Sequence, residues 1–348
     1  MARLHELFRH CTEEGGSDLH LVTGLEPRIR VHGHLEPVEG WGTLTDGELR
    51  AMMQEIVSDE QWDQFASSGD LDFAYGLQGV ARFRGNFLEQ HYGASAVFRA
   101  IPSSIIPLEE LNLPEAVGKL AHLSKGLVLV TGPTGSGKST TLAGIIDRIN
   151  KSYARHIVTI EDPVEFVHQN IESVFSQREV GSDTESFGAA LKAAIRQDAD
   201  VVLVGEMRDL ETISLAITAA EMGALVFGTL HTNSAANTID RLIDAFPADQ
   251  QAQIRTTLSE SLQAVVAQLL LRTADGEGRV AANEILFKTS GLPNVIREGK
   301  TAMIRSIIQG GQNEGMRLMD DSLLELVDEG KISQRDAYMK ATEKQKFE

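Results

Sequence analysis

Gly126-Leu-Val-Leu-Val-Thr-Gly132-Pro-Thr-Gly135-Ser-Gly137-Lys138-Ser139-Thr140 is the stretch whose reading decides the fold of this chain. An apolar run from Leu127 to Val130 empties into a glycine-rich turn closed by Lys138 and Ser139. The run reads as a buried parallel strand, and Leu142, Ile145, Ile146 and Ile149 then recur at helical spacing. Strand, turn and helix in this order spell a phosphate-binding loop. Its glycines let backbone N–H groups turn inward around phosphates, its lysine brings a point charge to the β and γ oxygens, and its serine hydroxyl can ligate Mg²⁺. Gly132, Pro133, Thr134, Gly135, Ser136, Gly137, Lys138, Ser139 and Thr140 are therefore the expected nucleotide-binding residues.

Downstream, helix-like segments alternate with β-runs at 127–130, 157–160, 201–204 and 225–229. Right-handed crossovers would stack these runs into a parallel sheet with the phosphate loop at its carboxyl edge. After Arg272 the pattern changes to a strand over Arg279 to Phe287 and helices near 290–298, 301–309, 317–329 and 333–342. The first hundred residues read differently. Thr45-Asp-Gly-Glu48 is a capping box and Ser58-Asp-Glu-Gln61 starts a second helix, while Leu71 to Tyr75, Val80 to Arg84 and Ala94 to Arg99 alternate as strands. Ile101-Pro-Ser-Ser-Ile-Ile-Pro107 then disfavours regular structure. The expected architecture is α/β: a small α+β domain over 1–100, a linker over 101–115, and a P-loop domain over 116–348 ending in helices from about 290.

At 348 residues the chain suits two cores rather than one. Its 32 Lys and Arg against 50 Asp and Glu leave a formal charge of −18, an unfavourable field for a polyanionic partner, so no nucleic acid is expected. The longest apolar runs fall short of a bilayer span, and Met1-Ala-Arg-Leu-His lacks a signal-peptide core, which points to a soluble cytoplasmic protein. Cys11 is the sole cysteine, so no internal disulfide or cysteine zinc site can form; it reads as a core residue in line with Leu4, Leu7 and Phe8. His32-Gly33-His34 reads as a hairpin turn rather than a ligand pair.

Three β-runs deliver polar chemistry. The 157–160 run ends in Glu161-Asp162-Pro-Val-Glu165, carboxylates suited to Mg²⁺ and water beside a phosphate loop. The 201–204 run ends in Gly205-Glu206, with glycine where a metal-binding aspartate is often found, which leaves Glu206 to orient and deprotonate the attacking water. His231 follows the 225–229 run as a γ-phosphate sensor or a link to the next helix, with general-base chemistry a lesser option. Phosphoryl transfer also calls for cations beyond the lysine. Arg82, Arg84 and Arg99 on the upstream strands are the candidates, with a solvated strand face as the alternative for each.

With these residues in place, the chain resembles the secretion ATPase superfamily, in its type IV pilus retraction branch, over almost its entire length. The matching blocks are Gly16-Ser-Asp-Leu-His20-Leu, Ala81-Arg-Phe-Arg84, Gly132 to Thr140, Thr159 to His168, Gln177-Arg-Glu-Val, Val204 to Ile213 and Thr229-Leu-His-Thr232. The resemblance implies a PAS-like amino-terminal domain, a RecA-like ATPase domain, ATP and Mg²⁺ as ligands, and a homo-hexameric ring. It also implies roles in the site for Lys138, Ser139, Glu161, Asp162, Glu165, Glu206 and His231, with Ser139, Glu161, Asp162 and Glu206 around the metal. Arginines of the Arg82, Arg84 and Arg99 region would reach nucleotide at a domain interface. The implied partner is an inner-membrane pilus platform protein, placing the motor at the inner face of the cytoplasmic membrane. Extension and type II secretion motors usually carry a tetracysteine zinc insertion that this chain lacks. The retraction branch's carboxy-terminal motif aligns with Gly291-Leu-Pro-Asn294-Val-Ile-Arg297-Glu298, where Pro293 replaces the first arginine. An accessory pilus ATPase is the near alternative; a RecA-like translocase would predict a basic channel, and a nucleotide-gated scaffold would tolerate loss of Glu206.

Overall fold

The computed structural model describes residues 3–31, 33–101, 104–276 and 278–348. The chain forms two compact units, Met1–Ser104 with Pro163–Val167, and Ile105–Asp162 with His168–Glu348.

Among its described residues, the first unit holds an antiparallel sheet of β1 (Asp18–Val22), β2 (Arg28–Val31), β3 (His34–Pro37), β4 (Asp70–Leu77), β5 (Ala81–Gln90) and β6 (Gly93–Ile101). The spatial order is β3-β2-β1-β6-β5-β4. Side chains alternate across such a sheet. Leu19, Leu21, Phe83, Phe87, Ala96 and Phe98 are buried on one face, where helices Arg3–Glu13, Asp46–Gln54 and Asp59–Ser68 add Leu7, Phe8, Met52 and Phe65. Phe8 stacks on Phe83 with ring centroids 4.3 Å apart, and Phe73 meets Phe87 edge-on at 4.7 Å. The expected capping box of Thr45 with Glu48 forms, and the helix expected from Ser58 starts on a second box with Gln61. Gly33 takes φ +88° between β2 and β3, as a tight turn requires. His32 of that turn, and Pro102 and Ser103 of the expected linker, lie outside the described residues.

Part of that linker packs into the second unit. Ile101 closes β6, and Leu108–Leu111 forms a 3₁₀ turn of the second unit. Leu108 is buried there with Leu142 and Ile145, and Gly144 leaves the space, since an added Cβ would lie 3.4 Å from Leu108 Cδ1. Residues 104–107 hold no helix or strand, as the prolines dictate, and the turn begins immediately after Pro107.

The described residues of the second unit hold β7 (Gly126–Thr131), β8 (His156–Glu161), β9 (Val174–Glu179), β10 (Val201–Val204), β11 (Leu225–Leu230), β12 (Leu262–Arg272) and β13 (Arg279–Phe287). Their order is β13-β12-β7-β11-β10-β8-β9, parallel throughout except for the β12–β13 pair. The four expected runs are strands that differ by at most a residue at each end. Strand β9 has no comparable apolar run, whereas β12 is apolar but has no boundary to mark its start. Helix Gln251–Ser261 passes directly into β12 at Leu262, so no turn residue separates the two. Apolar side chains cover both faces, as a parallel sheet demands.

The outer edge of β13 is capped. Ile285 and Arg317 exchange backbone hydrogen bonds of 2.9 and 3.2 Å. The Asn283 N–H donates to Ser322 Oγ at 3.0 Å, and Arg317 Nε donates to the Asn283 carbonyl at 3.3 Å. Ser322 belongs to helix Met319–Asp328.

Candidate active site

The carboxyl ends of β7, β8, β10 and β11 open on one edge of the parallel sheet and carry the phosphate loop, Glu161, Glu206 and His231. That edge is where open α/β sheets bind ligands.

After β7 the chain turns through Gly132 at φ +145°, Gly135 at +77° and Gly137 at +82°. Gly132 has no room for a side chain, because a Cβ would sit 2.2 Å from the Gln268 carbonyl and 2.6 Å from Ser136 Oγ. Helix Lys138–Ser152 starts from Gly137 with no side-chain cap. Its first N–H groups and its dipole therefore favour an anion. Ser136 Oγ is buried without a hydrogen-bond partner, a polar atom suited to a phosphate oxygen. Lys138, 9% exposed, donates from Nζ to the carbonyls of Gly132 at 2.9 Å and Pro133 at 3.1 Å. Its charge thus lies over the loop itself.

Glu161 ends β8, and Gly205 follows β10 beside it; a Cβ on Gly205 would lie 3.3 Å from Glu161 Cα and 3.6 Å from its Cγ. The nearest atom is the Ile160 carbonyl oxygen at 3.2 Å, so it is the backbone of the neighbouring strand that makes a side chain at Gly205 tight. Glu206 comes next and is held from two sides. His231 Nε2 lies 2.9 Å from its Oε1, and Arg208 Nη2 donates to its Oε2 at 2.7 Å. The Arg208 hydrogen bond, opposed by burial and reinforced by the Arg208 and His231 charges, holds the Glu206 carboxyl below its ordinary range. Glu206 and Asp162 in turn raise the Arg208 pKa.

The segment that follows His231 is itself bonded. Thr232 and Thr238 hydroxyls lie 2.7 Å apart, and the Ala235 N–H donates to Glu284 Oε1 at 2.8 Å. Burial pushes the Glu284 carboxyl above the usual carboxylate range.

The structure thus brings together, within the second unit, the phosphate loop from Gly132 to Thr140, Glu161, Asp162, Glu206 and His231. Glu165 falls in Pro163–Val167, grouped with the first unit, and so do Arg82, Arg84 and Arg99. There Arg84 stands opposite Arg99 in register, Arg99 stands opposite Asp18, and Arg99 Nε donates to Asp18 Oδ1 at 3.0 Å. Sequence reasoning assigns no role to Arg208, although it lies in the Val204 to Ile213 block, and passes over Gln268, a polar residue inside an apolar strand. That interruption is the available signal.

A parallel sheet with a phosphate loop, acids and a histidine on its carboxyl edge defines a RecA-like P-loop NTPase fold. Residues 2–337 match the type II/IV secretion system protein family, and the chain belongs to it. It is 50% identical over 336 residues to the type IV pilus retraction ATPase PilT of Pseudomonas aeruginosa, covering 97% of each chain. To the type IV pilus ATPase PilU of the same organism it is 40% identical over 332 residues, covering 95% of this chain and 87% of that one. The crystal structure of the pilus retraction motor PilT with bound ADP superposes with a TM-score of 0.92 at 42% identity, covering 98% and 97% of the two chains.

Proposed function

We propose that this chain is an Mg²⁺-dependent ATPase motor, working as a homo-hexamer, that drives type IV pilus retraction. The carrying observation is the Glu206 carboxylate, fixed by His231 and Arg208 on the sheet edge that also bears the phosphate loop. Near-complete coverage of a retraction ATPase at 50% identity supports the cellular role, and the 40% match makes the accessory pilus ATPase the weaker reading. Pro293 is compatible with the helix Leu292–Arg297, since it occupies the first turn, where a missing N–H costs nothing.

In this reading the backbone from Gly132 to Thr140 wraps the phosphates of ATP, and Lys138 exchanges its loop carbonyls for β and γ oxygens. Among the described residues no three His, Cys, Asp or Glu side chains converge on a ready metal cage. Mg²⁺ needs none here, because it keeps several waters and takes phosphate oxygens with few protein ligands. Ser139 would hold it directly, with Glu161, Asp162 and Glu206 nearby to accept from its waters; bound there it neutralises charge on the phosphates. Glu206 stays ionised at neutral pH and accepts a proton from the attacking water, while His231 fixes its orientation. Phosphoryl transfer also calls for cations beyond Lys138, and Arg82, Arg84 and Arg99, with Glu165 as a further acid, are the residues we assign to that part of the chemistry, so that loss of the terminal phosphate would release those arginines. The partner that turns this motion into retraction is an inner-membrane platform protein, and the motor works at the cytoplasmic face of that membrane. No helix among the described residues is long and apolar enough to cross it.

Glu206→Gln tests the reading. ATP binding should persist while turnover falls about 10²- to 10⁴-fold, and unchanged turnover in the purified variant would refute the assigned base. Restoration of twitching in a retraction-deficient strain separates the principal motor from an accessory one.

A further inference from the structure

The geometry points to Gln268, backed by Asn283 and Ser322, as the positioning residue that holds the phosphate loop in its phosphate-accepting shape and ties that shape to the carboxy-terminal helix Met319–Asp328. The inference rests on the nucleotide-binding role proposed above for the loop. Gln268 is 2% exposed on β12, beside β7. Its amide bonds to both sides of the loop–helix junction. Nε2 donates to the Ser136 carbonyl at 2.6 Å, and Oε1 accepts from Thr141 Oγ1 at 3.0 Å, one turn into the helix that follows the loop.

The first of these bonds decides which way a loop amide points. In a trans peptide the carbonyl and the next N–H lie on opposite sides of the chain. Holding Ser136 O toward Gln268 therefore aims the Gly137 N–H away from β12. Gly137 accommodates the clamp only as glycine, since a Cβ would lie 2.9 Å from Gln268 Nε2. The same residue closes the loop's other end, because its main-chain carbonyl is what forbids a side chain at Gly132.

Gln268 is itself held. Asn283 pairs with it in register on β13 and donates from Nδ2 to Gln268 Oε1 at 3.2 Å. Without that bond only Ser136 and Thr141 orient the amide. The main chain of Asn283 is fixed from the far side by Ser322 Oγ and Arg317 Nε. Asn283 and Ser322 are fully buried, so water does not substitute for any of these partners. The chain of bonds runs Ser322, Asn283, Gln268, Ser136. It leaves out Glu206 and His231, which sit on other strands. Disturbing it should change nucleotide affinity and leave the hydrolytic step alone.

The test is titration of labelled ATP and ADP, with steady-state ATPase kinetics and thermal melting on the same samples. Wild-type binding that disappears in Lys138→Ala establishes the underlying loop assignment by itself; its failure would count against the proposed function rather than against the clamp. Gln268→Glu keeps the shape but sets oxygen against oxygen at Ser136. It should weaken both nucleotides tenfold or more and raise KM in proportion, with kcat within threefold. Ser322→Ala, remote from nucleotide, should shift Kd and KM the same way by two- to fivefold. A lowered melting temperature with wild-type Kd and KM in folded Gln268→Glu would overturn the proposal. Should that variant not fold, Ser322→Ala decides between the same two outcomes, and wild-type affinity there would overturn it.

Discussion

The two sheets put their side chains to opposite uses. In the antiparallel sheet, one residue in and one residue out gives an apolar face of Phe83, Phe87 and Phe98 and a charged face of Arg82, Arg84 and Arg99. In the parallel sheet both faces are buried, and β7, β10 and β11 have no exposed residue along their length. Site chemistry there lies at the strand ends, as with Glu161, Glu206 and His231, while the mid-strand polar residues Gln268 and Asn283 are buried and bonded to one another. A sheet covered once offers a surface, whereas a sheet covered twice offers only an edge.

The largest effect expected from this contrast comes from stripping the charged face. Of Arg82→Ala, Arg84→Ala and Arg99→Ala, at least one should lower kcat by about 10³-fold or more, the magnitude of an arginine supplied to phosphoryl transfer. Near wild-type turnover in all three would leave that face as solvated surface. Phe98→Ala attacks the other face of the same sheet and should cost about 3–5 kcal/mol in urea unfolding, as expected for emptying a fully buried aromatic site. A loss below about 1 kcal/mol would mean the core closes over the gap.

Arg208→Ala probes the edge more gently. The Glu206 carboxyl is depressed, so whatever its contacts contribute to stability is present above the ordinary carboxylate range and lost as pH falls through the lowered value. Removing Arg208 raises that value. The acid limb of kcat against pH should therefore move to higher pH, and an unmoved limb would detach Arg208 from the base. The smallest effect is expected at Cys11, whose thiol burial pushes up to about 11. At pH 8 iodoacetamide should label it only on denaturation; rapid native labelling would show that the apolar face of the antiparallel sheet opens readily.

How much of this is legible in the sequence follows from distance along the chain. The phosphate loop, both capping boxes and the acids ending β8 and β10 declare themselves within a dozen residues, because local spacing carries their chemistry. Gly205 looks like a departure and is explained only by the strand beside it. Gln268 acts on Ser136 across 132 positions, and β12 hides behind a helix that runs into it without a break. Arg208 needs the chain to fold back on Glu206 two residues away. Pairwise geometry across strands is what the order of residues does not spell out.

One detail of the parallel sheet bears on assembly. A strand with open N–H and C=O groups invites any passing chain to add itself, which is how sheets grow without limit. Along β13 those groups at Asn283 and Ile285 are already spoken for by Arg317 and Ser322. In the ring proposed above, a neighbouring copy would find these two positions already paired, so that recognition there would fall to side-chain shape and charge, contacts that can be made and broken on every turn of a working cycle.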